Sequence, residues 1–443
     1  MQLVRLELPG SGLLLVDSDF PLSFDKTAPS TTVAIRKTTC EVSMVYSKVL
    51  RRARIATSAI FFANGMVLAI WATNIPGMKQ ALALTDQELG FALSAFAAGT
   101  MLTMYLAGAL VTRLGSRNTL LIGGLLVAFV VPFCALANSV VGLSMAIFLL
   151  GVTNSILDIS MNTHGALIEA ERGRPLMSSF HAVFSIGGLA GASTVATLLS
   201  DKLGVFQCLS LAGVLMGGIT LAAIRFVGDL QPVPQENKTS IISKGFSWPN
   251  RALMCIAGLT FLALFIERTL IDWSSLYLTD VSHANTSVAA FAFGAFSLAM
   301  AIGRLAGDFL IRRFGINWLL TVSGAFGALG LILAIIVPQP LTSIVGFIAV
   351  GLGLSNMTPL LYSQASRAFP GAPGLGLAMN GTLGYTGFLL APLVIGFLSE
   401  SVGLKMAMIV PVVAFLLLMS SHLRKTRIDR RAIEHRRAQA ACS

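Results

Sequence analysis

Three polar residues at intervals of four interrupt an apolar stretch that runs from residue 140 to residue 166. On an α-helix, Asn154, Asp158 and Asn162 would lie on nearly one face. The stretch is long enough to cross a bilayer, which takes about 20 residues at a rise of about 1.5 Å each. A carboxylate and two amides facing lipid would be unsatisfied at high cost. We therefore expect the stripe to face other helices or water inside the protein, as a solute pathway requires.

A second titratable residue, His181, stands at the same distance as Asp158 from the centre of a loop near residue 170. In an antiparallel helical hairpin the two side chains would lie at similar depth. A histidine beside a carboxylate exchanges protons near neutral pH, which suits proton coupling. The alternative interpretation is a structural hydrogen bond between the two helices.

A third candidate for proton coupling is Glu267, about midway along another apolar run. The neighbouring Arg268 and Asp272 are four residues apart and can form an ion pair across one helical turn. Glu267 points about 100° away from Arg268 and is left for another helix or for solvent. A structural bond between helices is again the alternative to a role in transport.

Aromatic and amide side chains within the apolar runs could bind a polar solute. Trp71 and Trp273 stand at similar places in the first and seventh runs, and flat rings among amides suit a sugar-like or small polar ring. Tryptophans at the membrane interface and amides that pack helices together are the alternatives. The candidates for solute binding are Asn64, Trp71, Asn74, Asn154, Asn162, Trp273, Asn356, Gln364, Asn380 and Tyr385.

The composition indicates a polytopic membrane protein. Of the 443 residues 55 % are hydrophobic and 12 % charged, with a mean hydropathy of +0.79, whereas soluble domains have about 25 % charged residues. The basic residues behind the net charge of +11 are spread between apolar runs, so we interpret them as topology signals and expect no nucleic-acid partner. The five cysteines show no paired spacing, which predicts neither disulfides nor a metal site.

Other function classes receive no support from motifs. A phosphate-binding loop of the G-x-x-x-x-G-K-S/T type is missing from the sequence, so ATP-driven transport by this chain alone is not expected. Catalytic constellations are likewise not recognisable, and we expect neither an enzyme nor a cofactor.

Twelve apolar runs predict an all-α protein with twelve transmembrane helices in two six-helix bundles. Lysine and arginine concentrate in alternate connections and at both ends, which predicts that both termini are cytoplasmic. The predicted division is an N-terminal tail without regular structure (1–50), a first bundle (51–227), a polar linker (228–251), a second bundle (252–422) and a basic tail (423–443) that could lie on lipid headgroups.

The two predicted bundles resemble each other when the sequence is shifted by about 200 residues. For example, FHAVFSIGGLAGASTVATLLSDKLG (180–204) aligns without a gap with MNGTLGYTGFLLAPLVIGFLSESVG (379–403), which pairs Gly188 with Gly387. Repeats of this kind place the solute site between the two bundles.

Two loop motifs carry a resemblance to a known family. The stretches GALVTRLGSR (108–117) and GRLAGDFLIRRFG (303–315) resemble the cytoplasmic loop signature of the major facilitator superfamily. In that family the loop latches the inner gate. Thr112 replaces the aspartate of the signature and Arg312 is its counterpart, so the resemblance implies a weaker latch or one in which Asp308 substitutes. The implied gate-loop residues are Gly108, Arg113, Gly115, Arg117, Asp308, Arg312 and Arg313.

A closer resemblance links the stretch GRPLMSSFHAVFSIGG (173–188) and the polar fourth helix to fucose-permease-like sugar–proton symporters of bacteria. Those symporters use a carboxylate in the first helix, where this chain has Asn64. The resemblance implies a monomeric secondary transporter of the bacterial inner membrane that moves a small, sugar-like solute with protons among membrane lipids. The alternatives are a proton-antiporting exporter of amphiphilic compounds and a transporter-like solute sensor.

Overall fold

In the computed structural model, the described residues are 3–8, 12–17, 31–173, 176–200, 203–228, 251–368 and 373–420. Apart from a short N-terminal hairpin, the described elements are helical. The strands are β1 (Leu3–Leu8) and β2 (Gly12–Asp17). The helices are α1 (Thr31–Thr73), α2 (Ile75–Ala81), α3 (Asp86–Val130), α4 (Val140–Arg172), α5 (Met177–Ser200), α6 (Val205–Ala223), α7 (Arg251–Leu276), α8 (Thr286–Phe314), α9 (Ile316–Ile336), α10 (Pro340–Leu354), α11 (Met357–Ala368), α12 (Pro373–Val402) and α13 (Leu404–Ser420).

The N-terminal segment differs from the expectation of a tail without regular structure. Strands β1 and β2 pair antiparallel, with Leu3 opposite Asp17 and Leu8 opposite Gly12, and α1 begins well before residue 50. Residues 229–250 of the predicted linker (228–251) and all of the predicted basic tail (423–443) lie outside the described residues. The predicted role of both segments stays a prediction.

Ten helical stretches of the described chain are long and apolar enough to cross a membrane, and α13 is a shorter apolar helix. One of the ten, Asp86–Ala135, has 50 residues, about twice what a single crossing needs. It contains Gly115 at φ 80° and ψ 157°, a left-handed conformation that favours glycine. Gly315, between α8 and α9, has nearly the same angles, φ 82° and ψ 161°.

The contacts of α3 with α4 show that the chain reverses at Gly115. Ser155 donates a hydrogen bond to the carbonyl of Thr100 (3.2 Å), and a Cβ added to Gly123 would lie 2.7 Å from the amide nitrogen of Leu157. Residues 100 and 123 therefore face the same turn of α4, although a straight helix would separate them by about 35 Å. The stretch is thus two antiparallel spans, and with α13 the predicted twelve runs are all represented.

Equivalent close contacts recur in the two halves and confirm the internal repeat, with one correction. A Cβ on Gly187 would lie 2.1 Å from the carbonyl oxygen of Phe62, and one on Gly387 would lie 2.3 Å from that of Phe261. Gly187, not Gly188, is therefore the partner of Gly387. Gly188 instead approaches Ser297 of the second half, because adjacent helix positions face different neighbours.

The two halves meet along two helix pairs, α5 with α8 and α3 with α12. Glycines bring these helices together: a Cβ on Gly90 would lie 2.4 Å from the carbonyl oxygen of Pro392, and Gly294 approaches Leu189 and Ala192. Small residues at such crossings allow close backbone packing inside a membrane. The central cavity lies between the halves.

Candidate functional site

A cavity of about 190 Å³ lies between the two halves and is lined from both of them. This volume is below the roughly 300–1,000 Å³ that is typical of pockets for drug-sized ligands. Four charged side chains line it: Asp158, Glu267, Arg268 and Arg304. The aromatic lining consists of Trp71, Phe96, Phe184, Phe293, Phe296, Tyr385 and Phe388.

The polar stripe of α4 faces this cavity, as the sequence predicts. Asp158 and Asn154 line it. The Asn162 amide donates to the Asp158 carboxylate (3.1 Å) and to the Asp158 carbonyl (2.9 Å). The Oδ1 atom of Asn154 is buried and has no hydrogen-bond partner among the described residues. The wall that α4 contributes therefore presents two acceptor groups one turn apart.

Glu267 finds its partner on another helix, as the sequence allows. The Glu267 carboxylate lies 3.6 Å from Nη2 of Arg304 on α8, and Nη1 of Arg304 donates to the Ser185 hydroxyl on α5 (3.0 Å). Arg304 thus joins Glu267 to the opposite half of the protein. Sequence reasoning missed it, although an arginine inside the apolar run 286–311 was a signal in itself.

The predicted pair of Arg268 and Asp272 is present and buried. Nε of Arg268 lies 2.6 Å from the Asp272 carboxylate, with exposed fractions of 2 % and 0 %. The guanidinium also lies 4.8 to 5.7 Å from the ring centroids of Trp71, Phe96 and Phe388. These rings come from both halves, so Arg268 is a packed cation in the wall of the cavity.

His181 does not pair with Asp158 in this structure. Its ring packs edge-on against Phe61, with centroids 5.6 Å apart. Neither a hydrogen bond nor an ion pair to Asp158 occurs among the described residues. Loop counting predicts depth but not direction, and α5 packs on α1 and α8 rather than mainly on α4. A different histidine of α4, His164, contacts a neighbouring span. Its Nδ1 lies 2.9 Å from the hydroxyl of Ser116 on α3.

Of the ten candidates for solute binding, three line the cavity: Trp71, Asn154 and Tyr385. Asn162 acts through Asp158, as described above. The remaining six are not among the lining residues, and for most of them the structure shows another partner. They are Asn64, Asn74, Trp273, Asn356, Gln364 and Asn380.

Most of those six side chains serve helix packing or helix ends. Asn74 donates to the carbonyl of Ile70 (2.8 Å), Asn356 to that of Gly303 (2.8 Å), and Asn380 accepts from Thr260 (3.0 Å). Asn64 contacts the sulfur of Met161 (4.0 Å). Trp273 is fully buried, and Gln364 is half-buried. Most of these amides therefore hold helical segments together rather than line the cavity, which is the alternative interpretation that the sequence left open.

The sequence as a whole also matches a known protein family. The profile of the Major Facilitator Superfamily matches residues 57–370 and 256–440. The chain belongs to the major facilitator superfamily. An uncharacterised MFS-type transporter of Yersinia pestis is 32 % identical over 354 residues, 80 % of this chain and 91 % of that protein. The membrane protein MosC of Rhizobium meliloti is 32 % identical over 350 residues, 79 % of this chain and 84 % of MosC.

Solved structures of this superfamily share the fold. The nucleoside transporter NupG superposes with a TM-score of 0.67 at 13 % identity, covering 84 % of this chain and 98 % of NupG. A bacterial homologue of the human lysosomal transporter Spinster, in an inward-facing and occupied conformation, gives a TM-score of 0.66 at 14 % identity, covering 86 % of this chain and 97 % of that one. At such identities the similarity shows the fold alone.

The first stretch that resembles the superfamily's loop signature contains a glycine at which the helix breaks and a new helix begins. Gly115 makes the reversal, and Arg117 donates from Nε to the carbonyl of Ile224 (3.4 Å). The side chains of Arg113, Arg312 and Arg313 are exposed, and Gly108 has no neighbour within 4 Å of an added Cβ. The side chain of Asp308 lies outside the described residues, so its pairing stays a prediction.

At the opposite end of the bundles, charged residues join the halves of this major facilitator protein. Nζ of Lys79 lies 2.5 Å from Asp86 of its own half and 3.2 Å from Asp280 of the other. The Asp86 amide donates to Glu400 (3.0 Å) and its carboxylate accepts from Ser399. We call this set, Lys79, Asp86, Asp280, Ser399 and Glu400, the Lys79 latch. Sequence reasoning missed it, because its members are far apart in the chain.

Proposed function

We propose that the chain is a secondary active transporter that moves a small polar organic solute through the central cavity by alternating access, coupled to protons. The supporting observation is the cavity itself, which lies between the two bundles and is lined by two carboxylates, Asp158 and Glu267. Intramembrane ionisable residues of this kind usually mark ion or substrate paths.

Proton coupling is assigned to the two cavity carboxylates. The 3.6 Å contact of Glu267 with Arg304 is long for an ion pair, so a proton can replace Arg304 as its partner at modest cost. Arg304 also holds Ser185 of the other half. Protonation of Glu267 would therefore remove the partner of Arg304 within the second bundle, beside the contact of Arg304 with Ser185 of the first, and this links the proton to the interface between the bundles. His181, whose ring packs against Phe61, stays a predicted contributor to proton coupling.

Alternating access requires that contacts between the bundles at one end break while those at the other form. The Lys79 latch holds the halves together in this structure. Under the predicted topology, with both termini cytoplasmic in a bacterial inner membrane, this end faces outward, and the structure corresponds to an outward-closed state. Labelling of residues 228–251 from outside intact cells would contradict that topology.

Symport of a sugar-like solute is the coupling that the sequence favours. A second candidate, proton-antiporting export of an amphiphilic compound, is favoured by the seven aromatic side chains in the lining, because rings contribute apolar contact area. The relationship to fucose-permease-like symporters stays a prediction, as does the monomeric state.

Transport into proteoliposomes tests the proposal. The purified protein would be offered a panel of radiolabelled polyols, sugars, nucleosides and amines, with and without a pH gradient. We expect at least one compound to accumulate above equilibrium, and a protonophore to abolish this. Efflux of a compound from the vesicles, driven by an applied proton gradient, would identify the exporter instead. Binding without movement of any compound would identify a solute sensor and contradict transport.

A further inference from the structure

With Asp272, which is buried and paired with Arg268 but does not line the cavity, the charged groups at the cavity carry an excess of one negative charge. Arg268 is paired with Asp272 at 2.6 Å and Arg304 with Glu267 at 3.6 Å. For Asp158 the structure shows only the Asn162 amide of its own helix, and no cationic side chain lies within 4 Å of it among the described residues. A carboxylate without a counter-ion in a membrane interior is unfavourable. A bound cation would remove that cost.

The neighbouring Asn154 adds a hydrogen-bond acceptor without a donor. Its side chain is 7 % exposed, lines the cavity, and has an Oδ1 atom without a partner in the described part of the chain. Residues at i and i+4 lie one above the other on a helix, so Asn154 and Asp158 form one acceptor surface. Buried acceptors are normally satisfied, and the complementary group is a donor with positive charge.

The aromatic side chains of the cavity wall are also suited to a positively charged group. Three rings already surround one cation, the guanidinium of Arg268, at 4.8 to 5.7 Å, which is the range of cation–π attraction. Other lining rings, among them Phe184, Phe293, Phe296 and Tyr385, are not engaged by Arg268. Tyr385 lines the cavity together with Asp158. The lining thus combines a carboxylate that has no cationic partner among the described residues with aromatic rings that Arg268 does not contact.

We propose that Asp158, Asn154 and these rings bind the positively charged nitrogen of an organic ammonium solute. This inference rests on the proposed transport function and narrows its substrate class. A neutral polyol would satisfy Asn154 but leave the charge of Asp158 uncompensated, and an anionic solute would be repelled by it. While a cation occupies Asp158, a proton cannot, so Glu267 is the cavity carboxylate that remains available for the coupling proton.

Binding of a cation and of its uncharged isostere to the purified full-length protein tests the inference. Choline and 3,3-dimethyl-1-butanol have nearly the same shape, but only choline is charged. We expect choline to bind at least about tenfold more tightly, measured by calorimetry and by the quenching of tryptophan fluorescence. Equal binding of the two compounds, or binding of neither choline nor ethanolamine, would overturn the inference.

Three variants assign the effect to Asp158. Asp158→Asn should abolish the preference for choline, and Asp158→Glu should retain it. Glu88→Gln changes an exposed carboxylate that lies outside both the cavity lining and the Lys79 latch, and should leave choline binding unchanged. An Asp158→Asn protein that keeps the preference would refute the assignment. If this variant does not fold, the comparison of choline with its isostere on the parent still decides.

The inference and the proposed function can fail separately. Choline binding without accumulation of any compound would contradict transport but not the ammonium site. Proton-driven accumulation of neutral solutes alone, with no choline binding, would contradict the ammonium site but not transport.

Discussion

The buried ion pair of Arg268 and Asp272 allows a quantitative prediction. Both side chains are almost completely inaccessible and 2.6 Å apart. Asp272→Asn leaves the guanidinium without a counter-ion in the protein interior, and breaking a buried pair in this way costs roughly 3–5 kcal/mol. The three rings around Arg268 remain and offset part of this, since cation–π contacts contribute about 0.5–2 kcal/mol. We therefore expect a loss of about 3 kcal/mol in the free energy of unfolding.

A double-mutant cycle separates the pair from its surroundings. Arg268→Met combined with Asp272→Asn removes both charges, and we expect the double variant to recover most of the stability lost by Asp272→Asn alone. Unfolding would be followed by fluorescence during SDS titration in mixed micelles. The matched control is Asp280→Asn, whose carboxylate is 45 % exposed and 3.2 Å from Lys79 and whose loss should cost about 0–1 kcal/mol.

Two outcomes would refute this reasoning. One is that Asp272→Asn costs no more than Asp280→Asn, which would show that burial does not strengthen the pair. The other is that the losses from Arg268→Met and Asp272→Asn simply add in the double variant, which would show that the two charges do not depend on each other.

Three further predictions follow from single contacts. Glu267→Gln should abolish proton-driven accumulation in proteoliposomes but leave counterflow exchange, because only the titratable charge is removed. Lys79→Ala removes the ion pair with Asp280 that joins the two halves and should increase, by up to about fivefold, the labelling from outside of a cysteine placed in the cavity, since a partly exposed pair contributes about 0.2–1 kcal/mol. Gly187→Ala would place a Cβ 2.1 Å from the carbonyl of Phe62 and should lower stability by about 1–3 kcal/mol in SDS titration, whereas Gly108→Ala, with open space around it, should not.

For each of these three predictions, one outcome would contradict the reasoning. Normal accumulation by Glu267→Gln would leave Asp158 as the only cavity carboxylate for coupling. Unchanged labelling in Lys79→Ala would show that the latch does not hold the outward-closed state. Equal stability of the variants at Gly187 and Gly108 would show that the helix crossing of α5 with α1 tolerates an extra methyl group.

Periodicity and composition were sufficient for the fold and for one wall of the site. The spacing of Asn154, Asp158 and Asn162 predicted a polar face directed inward, because lipid cannot satisfy a carboxylate. The spacing of Arg268 and Asp272 predicted their ion pair, because residues at i and i+4 are neighbours on any helix. Such inferences use only distances within one helix, and those distances are fixed by backbone geometry.

Contacts between helices were decided by tertiary structure. Asp158 and His181 were predicted to pair by counting residues from a loop, but the rotation of α5 directs His181 to Phe61. Arg304 reached Glu267 and Ser185, and Lys79 reached Asp280, across helices that no local pattern relates. The sequence by itself determined which residues are too polar for lipid. Which partner satisfies each of them depends on helix rotation and on the packing of the two halves, and both are set by contacts between residues far apart in the chain.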